Sequence, residues 1–251
     1  MTNRPFLSVV IPAYNEAERI PLTLIDIDKH LSSSKFSYEI LVVNDGSTDS
    51  TAKVVESFTK IIPNLRLINR EHDKEKGMTK GFAVKLGMIE ATGRYRLFTD
   101  ADNSTSIDHF DKMVPYFEKG FDVVIASRAH KQSKLSPPQG FLRQVLGKSG
   151  NLIIQALVLP GIWDTQCGFK CFSENAAQKV FPVQKTAGWG FDVEILALAK
   201  RLGFKIKQIP VVWVNDTSSR VGAMAYVKTL VETVRIRVWL WLDKYGIKEK
   251  K

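Results

Sequence analysis

The sequence predicts an α/β fold in which a mostly parallel sheet is flanked by helices. Three observations carry that reading. Short β-branched apolar runs alternate with segments of helical period, 251 residues suffice for a large core, and polar side chains gather where the apolar runs end. Leu7–Ala13, Tyr38–Asn44, Leu65–Asn69, Tyr95–Asp100 and Asp122–Ser127 read as strands. Between them, Ala17–Leu31, Ser50–Lys60, Gly77–Ala91 and Asp108–Lys119 read as helices. Strict alternation implies βαβ crossovers, and a helical crossover returns the chain to a parallel neighbour. Ligands of such sheets bind beyond the carboxyl ends of the strands.

The second half is less regular. Ser133–Gly140, with Pro137-Pro138, is a loop, and Phe141–Leu159 is an apolar helix stopped by Pro160-Gly161. A compact polar and aromatic stretch, Asp164–Lys170, follows; Gly188–Glu194 then opens a helix and Ile206–Val214 reads as a strand. Residues 1–215 are expected to form the α/β domain and residues 216–251 a C-terminal basic amphipathic segment.

Composition narrows the function classes. With 44% hydrophobic residues the chain is neither disordered nor collagenous. Its two cysteines, Cys167 and Cys171, have no His or Cys cluster nearby, so a zinc site and a secreted disulfide framework are both excluded. They are expected to pack as small hydrophobes in a reducing, cytosolic setting. The N-terminus lacks the features of a signal peptide, and no stretch reaches the roughly 18 apolar residues of a membrane span. The formal charge is +10, and residues 200–251 hold twelve Lys/Arg against four Asp/Glu, a net +8 in the last fifth of the chain. An anionic partner for that end is implied.

Charged groups also collect on the expected rim. Tyr14-Asn15-Glu16 follows the first strand, Asn44-Asp45-Gly46-Ser47-Thr48-Asp49 the second, Asp100-Ala101-Asp102 the fourth and Ser127-Arg128 the fifth. Ser47, Thr48 and Asp49 serve equally well as helix caps or as ligands. Asp100 and Asp102 alternate at a strand end, which predicts side chains on one side, able to share a hard cation such as Mg²⁺ or Mn²⁺. Arg128 follows Val-Val-Ile-Ala-Ser on the same rim, a place suited to bidentate phosphate binding. His130 reads as a loop residue, and Trp163 and Trp189 as either sugar or lipid contacts or packing residues.

The segments SVVIPAYNEAERI, ILVVNDGSTDST, KGFAVKLGM, LFTDADNST, VIASRAH, DTQCGFKCF and GWGFDVEIL occur in that order. On these the chain resembles the family 2 glycosyltransferases of the GT-A fold, and within them the dolichyl-phosphate β-glucosyltransferases, over roughly Leu7 to Leu242. The resemblance implies inverting transfer of glucose from UDP-glucose to dolichyl or another polyprenyl phosphate. It implies that Pro12, Tyr14, Glu16 and Asp45 hold the donor nucleoside, and that Lys80 and Lys85 approach the diphosphate. Asp100 and Asp102 would hold Mg²⁺ or Mn²⁺ against that diphosphate. Arg128, Arg143 and Lys170 match basic positions for the acceptor phosphate or the leaving diphosphate, and Asp192 matches a base or acceptor-orienting carboxylate. The catalytic set is then Asp192, Asp102 and Arg128. The chain departs from the family where Asn44-Asp45 replaces a frequent pair of acids, and where eukaryotic members carry an N-terminal anchor, so membrane association is expected to come from elsewhere. A lipid phosphate, whose second ionisation by analogy lies near pH ~6, is already a nucleophile at neutral pH, so Asp192 is expected to orient more than to deprotonate.

Gly222–Leu242 reads as a long helix. Met224, Val227, Val231, Val234, Val238 and Trp241 form one stripe at three/four spacing, with Lys228, Glu232, Arg235 and Arg237 ruling out a comfortable span. Trp239, Leu240, Trp241 and Leu242 extend the apolar surface, and Lys244, Lys248, Lys250 and Lys251 lie beyond. Two roles stay open: a helix packed on the domain, or an interfacial helix on anionic lipid. The second makes the protein peripheral at the cytoplasmic face of the membrane. Alternatives are a GDP-mannose-dependent polyprenyl-phosphate mannosyltransferase, a family 2 transferase with a glycan acceptor, and a catalytically dead nucleotide-sugar sensor. A nucleic-acid-binding protein fits poorly, because the charge lies beside an apolar Trp-rich helix with no recognisable nucleic-acid motif.

Overall fold

The computed structural model describes residues 4–71, 79–137, 141–214 and 223–247. Its centre is a seven-stranded sheet of β1 (Leu7–Ala13), β2 (Tyr38–Asn44), β3 (Leu65–Asn69), β4 (Tyr95–Thr99), β5 (Val123–Ser127), β7 (Phe169–Ser173) and β8 (Ile206–Pro210). The spatial order is β3-β2-β1-β4-β7-β5-β8, and only β7 runs antiparallel. The first three strands have the bounds expected from sequence. A two-stranded parallel sheet pairs β6 (Lys134–Ser136) with β9 (Val212–Val214). The expected strand Ile206–Val214 is therefore two strands. Val211 N–H turns away to Ser133 Oγ at 3.0 Å, breaking the ladder after Pro210.

Alternation along β1 builds both layers. Leu7, Val9 and Ile11 face α1 (Ile20–Ser32), α2 (Thr51–Thr59) and α4 (His109–Glu118), whose Leu24, Ile27, Val55, Phe110 and Met113 complete that core. Val10 faces the other way, with Leu41 and Val43, into a second core. There it meets Val84 and Met88 of α3 (Lys80–Glu90), Ala176 of α6 (Glu174–Val180), Ile195 and Leu198 of α7 (Phe191–Arg201), and Ile236 of α8 (Ala223–Trp241). Helix α5 (Phe141–Leu157) lies against α8. Strand β7 and helix α6 were not legible from the apolar pattern. Lys170 interrupts the strand, and α6 is seven residues long. Cys167 and Cys171 are buried and unpaired, packed in the first core as expected.

Helix α8 packs on the domain through a face other than its apolar stripe. Its apolar stripe does not pack on the domain: Met224, Val227, Val231, Val234, Val238 and Trp241 are all exposed, from 42% to 72%. Thr229, Thr233 and Ile236 face inward instead. The Thr229 and Thr233 hydroxyls donate to the Ala225 and Thr229 carbonyls at 2.9 and 2.8 Å, so each presents a satisfied polar group and a methyl to the core. No helix among the described residues is long and apolar enough to cross a membrane.

Helix α3 packs closely on the sheet at Gly87. A Cβ there would run into Val10 Cγ1 and stand 2.9 Å from Val43 Cγ2. Gly87→Ala is expected to lower unfolding stability by about 1–3 kcal/mol, overpacking outweighing the roughly 1 kcal/mol gain in helix propensity. Urea unfolding measures it; equal or higher stability would contradict this packing.

Candidate active site

The carboxyl ends of β1, β2, β4 and β5 share one rim, and antiparallel β7 begins there, since Phe169 pairs with Thr99. The rim thus receives the ends of all six parallel strands, these four among them, and the start of the seventh.

At the β1–β2 side, Asn15 takes a left-handed φ of 55°, which Asn tolerates better than most residues. Its Oδ1 accepts from Thr48 N–H at 2.8 Å, while Ser47 Oγ accepts from Asn15 N–H at 3.0 Å. Asp49 Oδ1 accepts from Thr51 N–H at 2.9 Å, and its Oδ2 from Ala17 N–H at 3.2 Å. Burial pushes the Asp49 carboxyl up, but these hydrogen bonds outweigh it and hold it below the ordinary range. The Ser47–Asp49 cluster therefore ties two loops together, and Asp49 also satisfies the first N–H of α2, where Ser50 at the N-cap makes no side-chain bond. Pro12 is buried in β1 and Tyr14 lies open at its end, 42% exposed. Glu16 takes a two-point ion pair from Arg19, at 2.6 and 2.7 Å. Asp45 is buried against Arg70 and Thr79, both of which donate to its carboxylate. Asp45 thus reaches the rim already neutralised by Arg70, which the sequence reading had left without a role.

Asp100 and Asp102 lie in the turn after β4, so strand alternation does not bring them together as expected. Left-handed Asn103, at φ 52°, closes that turn, with Ser104 N–H donating to Asp102 Oδ1 at 2.9 Å. Burial raises the Asp102 carboxyl, and the neighbouring Asp100 charge raises it further. Lys80, first residue of α3, donates to Asp100 Oδ1 at 2.5 Å. Burial works against its charge, but Asp100 and Asp192 outweigh that and hold the ammonium above the ordinary lysine range. Gly168 admits this arrangement, because a Cβ there would overlap the Asp100 carboxylate. Among the described residues no group of three or more His, Cys, Asp or Glu could hold a metal. The carboxylate pair nonetheless fits Mg²⁺ or Mn²⁺, which commonly bind through one or two carboxylates and substrate phosphates.

Two ion pairs close the other side. Arg128 donates from Nε and Nη2 to Asp164 at 2.8 and 2.9 Å, and its backbone N–H joins them at 2.8 Å. Trp213 covers the guanidinium at 4.9 Å. Burial pushes the Asp164 carboxyl up, but Arg128 outweighs it and holds it low. The forked face expected for phosphate is thus filled by Asp164, the first residue of the Asp164–Lys170 stretch. Lys170 is fully buried on β7, bonded to Asp192 and donating to Cys167 O at 2.6 Å. Burial lifts the Asp192 carboxyl above its ordinary range, against the pull of Lys170 and Lys80.

One predicted donor stands apart. Lys85 points away from the rim, its ammonium donating to the Pro182 and Gln184 carbonyls at 3.0 and 2.8 Å. It secures the loop before α7, because one helical turn and a half separates it from Lys80. Glu194 works on the same loop, accepting from Lys185 and Thr186 N–H groups and from Tyr245 Oη. Arg143 lies on α5 with its side chain outside the described residues. Asp164 and Arg70 escaped the sequence reading because their ion-pair partners are 36 and 25 positions away, and Glu194 because it binds backbone N–H groups, which no side-chain pattern reveals. A rule that every buried Arg needs a carboxylate would have prompted the search for Asp164.

The rim therefore alternates acid and base, Asp45–Arg70, Asp100–Lys80, Asp192–Lys170 and Asp164–Arg128, at the place where α/β sheets take phosphate-bearing ligands. A model for glycosyl transferase family 2 matches residues 8–181. The chain belongs to glycosyl transferase family 2. This family 2 glycosyltransferase has a GT-A-like fold. The dolichyl-phosphate beta-glucosyltransferase of Dictyostelium discoideum is 37% identical, across 97% of this chain and 77% of that one. The Saccharomyces cerevisiae protein of the same name is 34% identical, across 98% and 78%. Among solved structures, the glucosyl-3-phosphoglycerate synthase of Mycobacterium tuberculosis in complex with Mn²⁺, UDP and glucosyl-3-phosphoglycerate superposes with TM-score 0.65. Identity is 19%, over 99% of this chain and 82% of that one. The same protein is also solved with Mg²⁺ and UDP.

In this family 2 glycosyltransferase Lys170→Met strands a buried Asp192 and is expected to cost about 3–5 kcal/mol. Adding Asp192→Asn should recover part of that loss, and urea unfolding of both singles and the double reads the coupling. Simple additivity would contradict the pair.

Proposed function

We propose that this glycosyltransferase moves glucose from UDP-glucose to dolichyl or another polyprenyl phosphate in a single, inverting displacement. The observation that carries the reading is the closed Lys170–Asp192 pair. The carboxylate that an alcohol acceptor would need as a base is bound to a buried ammonium. A phosphate acceptor is ionised before it arrives and needs no such base. The relatives bearing the name dolichyl-phosphate beta-glucosyltransferase, alignable across 97–98% of this chain, support the same acceptor and sugar.

Each side chain has a task in this scheme. Pro12, Tyr14 and Glu16 line the nucleoside end, together with Asp45, which Arg70 and Thr79 hold in place. Asp100 and Asp102 would hold Mg²⁺ or Mn²⁺, which supplies Lewis-acid stabilisation of the leaving UDP diphosphate. Lys80 adds positive charge as that diphosphate departs. Asp192 orients sugar or acceptor, while Lys170 keeps its carboxylate charged and in place. Arg128 and Arg143 are the cations assigned to the acceptor phosphate; because Asp164 fills the Arg128 fork, a phosphate there would have to displace Asp164 or bind outside the fork. Residues 1–215 carry this machinery.

Residues 216–251 bring the enzyme to its lipid. The outward stripe of α8 carries no acid: Glu232 turns inward to Gly190, while Lys228, Arg235 and Arg237 are exposed beside the valines. An apolar face flanked by cations suits an anionic leaflet, and the protein is accordingly peripheral at the cytoplasmic face of the membrane. Nucleic acid is not a partner in this scheme.

Incubation with labelled UDP-glucose or GDP-mannose, Mg²⁺ or Mn²⁺ and a short polyprenyl phosphate tests the reading. Label from UDP-glucose should enter the lipid phase; label from GDP-mannose alone would replace the donor, and none from either would remove the proposal. Chelation should abolish transfer, and Asp100→Ala or Asp102→Ala should lower kcat about 10²- to 10³-fold, the scale for a lost electrostatic stabiliser. Flotation with anionic liposomes tests the helix. Val231→Glu with Val234→Glu should release the protein, and undiminished flotation would contradict the role of the stripe.

A further inference from the structure

We infer that Glu232, on the inner face of α8, is a positioning residue for Asp192. The inference rests on the transferase reading above, since it gives Asp192 a task in the reaction. Gly190 closes the N-terminus of α7 without any side-chain cap, and Asp192 stands two residues beyond it. Gly190 N–H donates to Glu232 Oε2 at 2.6 Å, so a carboxylate from another helix satisfies one of the orphan donors of α7. The glycines of Gly188-Trp189-Gly190 are explained by the same carboxylate. A Cβ on Gly188 would lie 2.6 Å from Glu232 Oε1, and one on Gly190 would lie 2.6 Å from Glu232 Cβ. The turn is moulded around Glu232.

That turn also touches the donor side. Gly81 N–H, beside Lys80, donates to Ala187 O at 2.8 Å, and a Cβ on Gly81 would meet Phe191 Cβ at 2.7 Å. One turn of α8 earlier, Thr229 Oγ1 accepts from Gln166 Nε2 at 3.3 Å, reaching the segment that holds Asp164 and Gly168. Helix α8 therefore grips both loops that bring Asp192 and Asp164 to the rim. Glu232 is the contact with the shorter bond and the tighter fit.

The test uses the full chain with Glu232→Ala, Glu232→Gln, Gly188→Ala and the Gly188→Ala/Glu232→Ala double. Glu232→Ala should lower kcat about 10- to 100-fold, the scale of one lost charge-assisted hydrogen bond, with UDP affinity changed less than about 3-fold. Glu232→Gln retains an accepting oxygen and should restore most of the rate. Gly188→Ala should slow the wild type but add less than about 2-fold to Glu232→Ala, because the atom it displaces is gone. Hydrogen exchange across Gly188–Asp192 gives a readout independent of any acceptor. Glu232→Ala should open that turn and Glu232→Gln should not. Unchanged exchange, full activity in Glu232→Ala, or additive losses with Gly188→Ala would each overturn the inference. Exchange that responds as expected in a protein that transfers no sugar would leave Glu232 in place and remove the transferase reading instead.

Discussion

The buried ion pair between Lys170 and Asp192 is the constraint around which the rest of the site is arranged. A lysine with no exposed surface at the centre of a sheet is tolerable only if its ammonium is fully engaged, and Asp192 with the Cys167 carbonyl does that. Meeting this demand requires a strand that enters the sheet backwards, since only an antiparallel β7 begins at the rim where the parallel strands end. It also requires α7 to start against that rim, which fixes the Gly188–Gly190 turn, which in turn abuts α3 at Gly81 and α8 at Glu232. Satisfying one buried charge thereby brings the donor side, the acceptor side and the C-terminal helix into register.

Much of this was legible in the sequence because it follows local rules. Alternating apolar runs located β1 to β5 and their helices, and the acidic and basic residues just past those runs are the ones that line the rim. What stayed hidden depends on contacts between distant segments. Strand β7 reads poorly because its second residue is a lysine whose partner is 22 positions away. The Arg128–Asp164 pair spans 36 positions, and nothing in either local pattern indicates that the arginine's fork is already occupied. Lys85 shares a segment with Lys80, yet its place along α3 sends it to a different loop.

The C-terminal helix shows how periodicity identifies a face without saying which way it turns. Six apolar residues at helical spacing describe a packing stripe as well as they describe a docking one. The direction is decided by Thr229, Thr233 and Ile236, whose satisfied hydroxyls and methyls make a quieter inner face, and by Glu232, whose carboxylate has a backbone amide to bind on that side. The excess positive charge noted in the last fifth of the chain acquires a geometry from this. On α8 the acid is turned inward and the exposed charges beside the valines are cationic.

The central claim is that Asp192 is a carboxylate held for orientation by Lys170, in a site whose acceptor arrives ionised. The most direct measurement is the pH dependence of kcat/KM for Asp192→Asn beside the wild type, with a polyprenyl phosphate as acceptor. The account predicts a loss of about 10- to 100-fold with the shape of the profile retained, the scale of a misplaced reactant. A loss of four or more orders of magnitude with the rising limb of the profile flattened would make Asp192 a general base and contradict it.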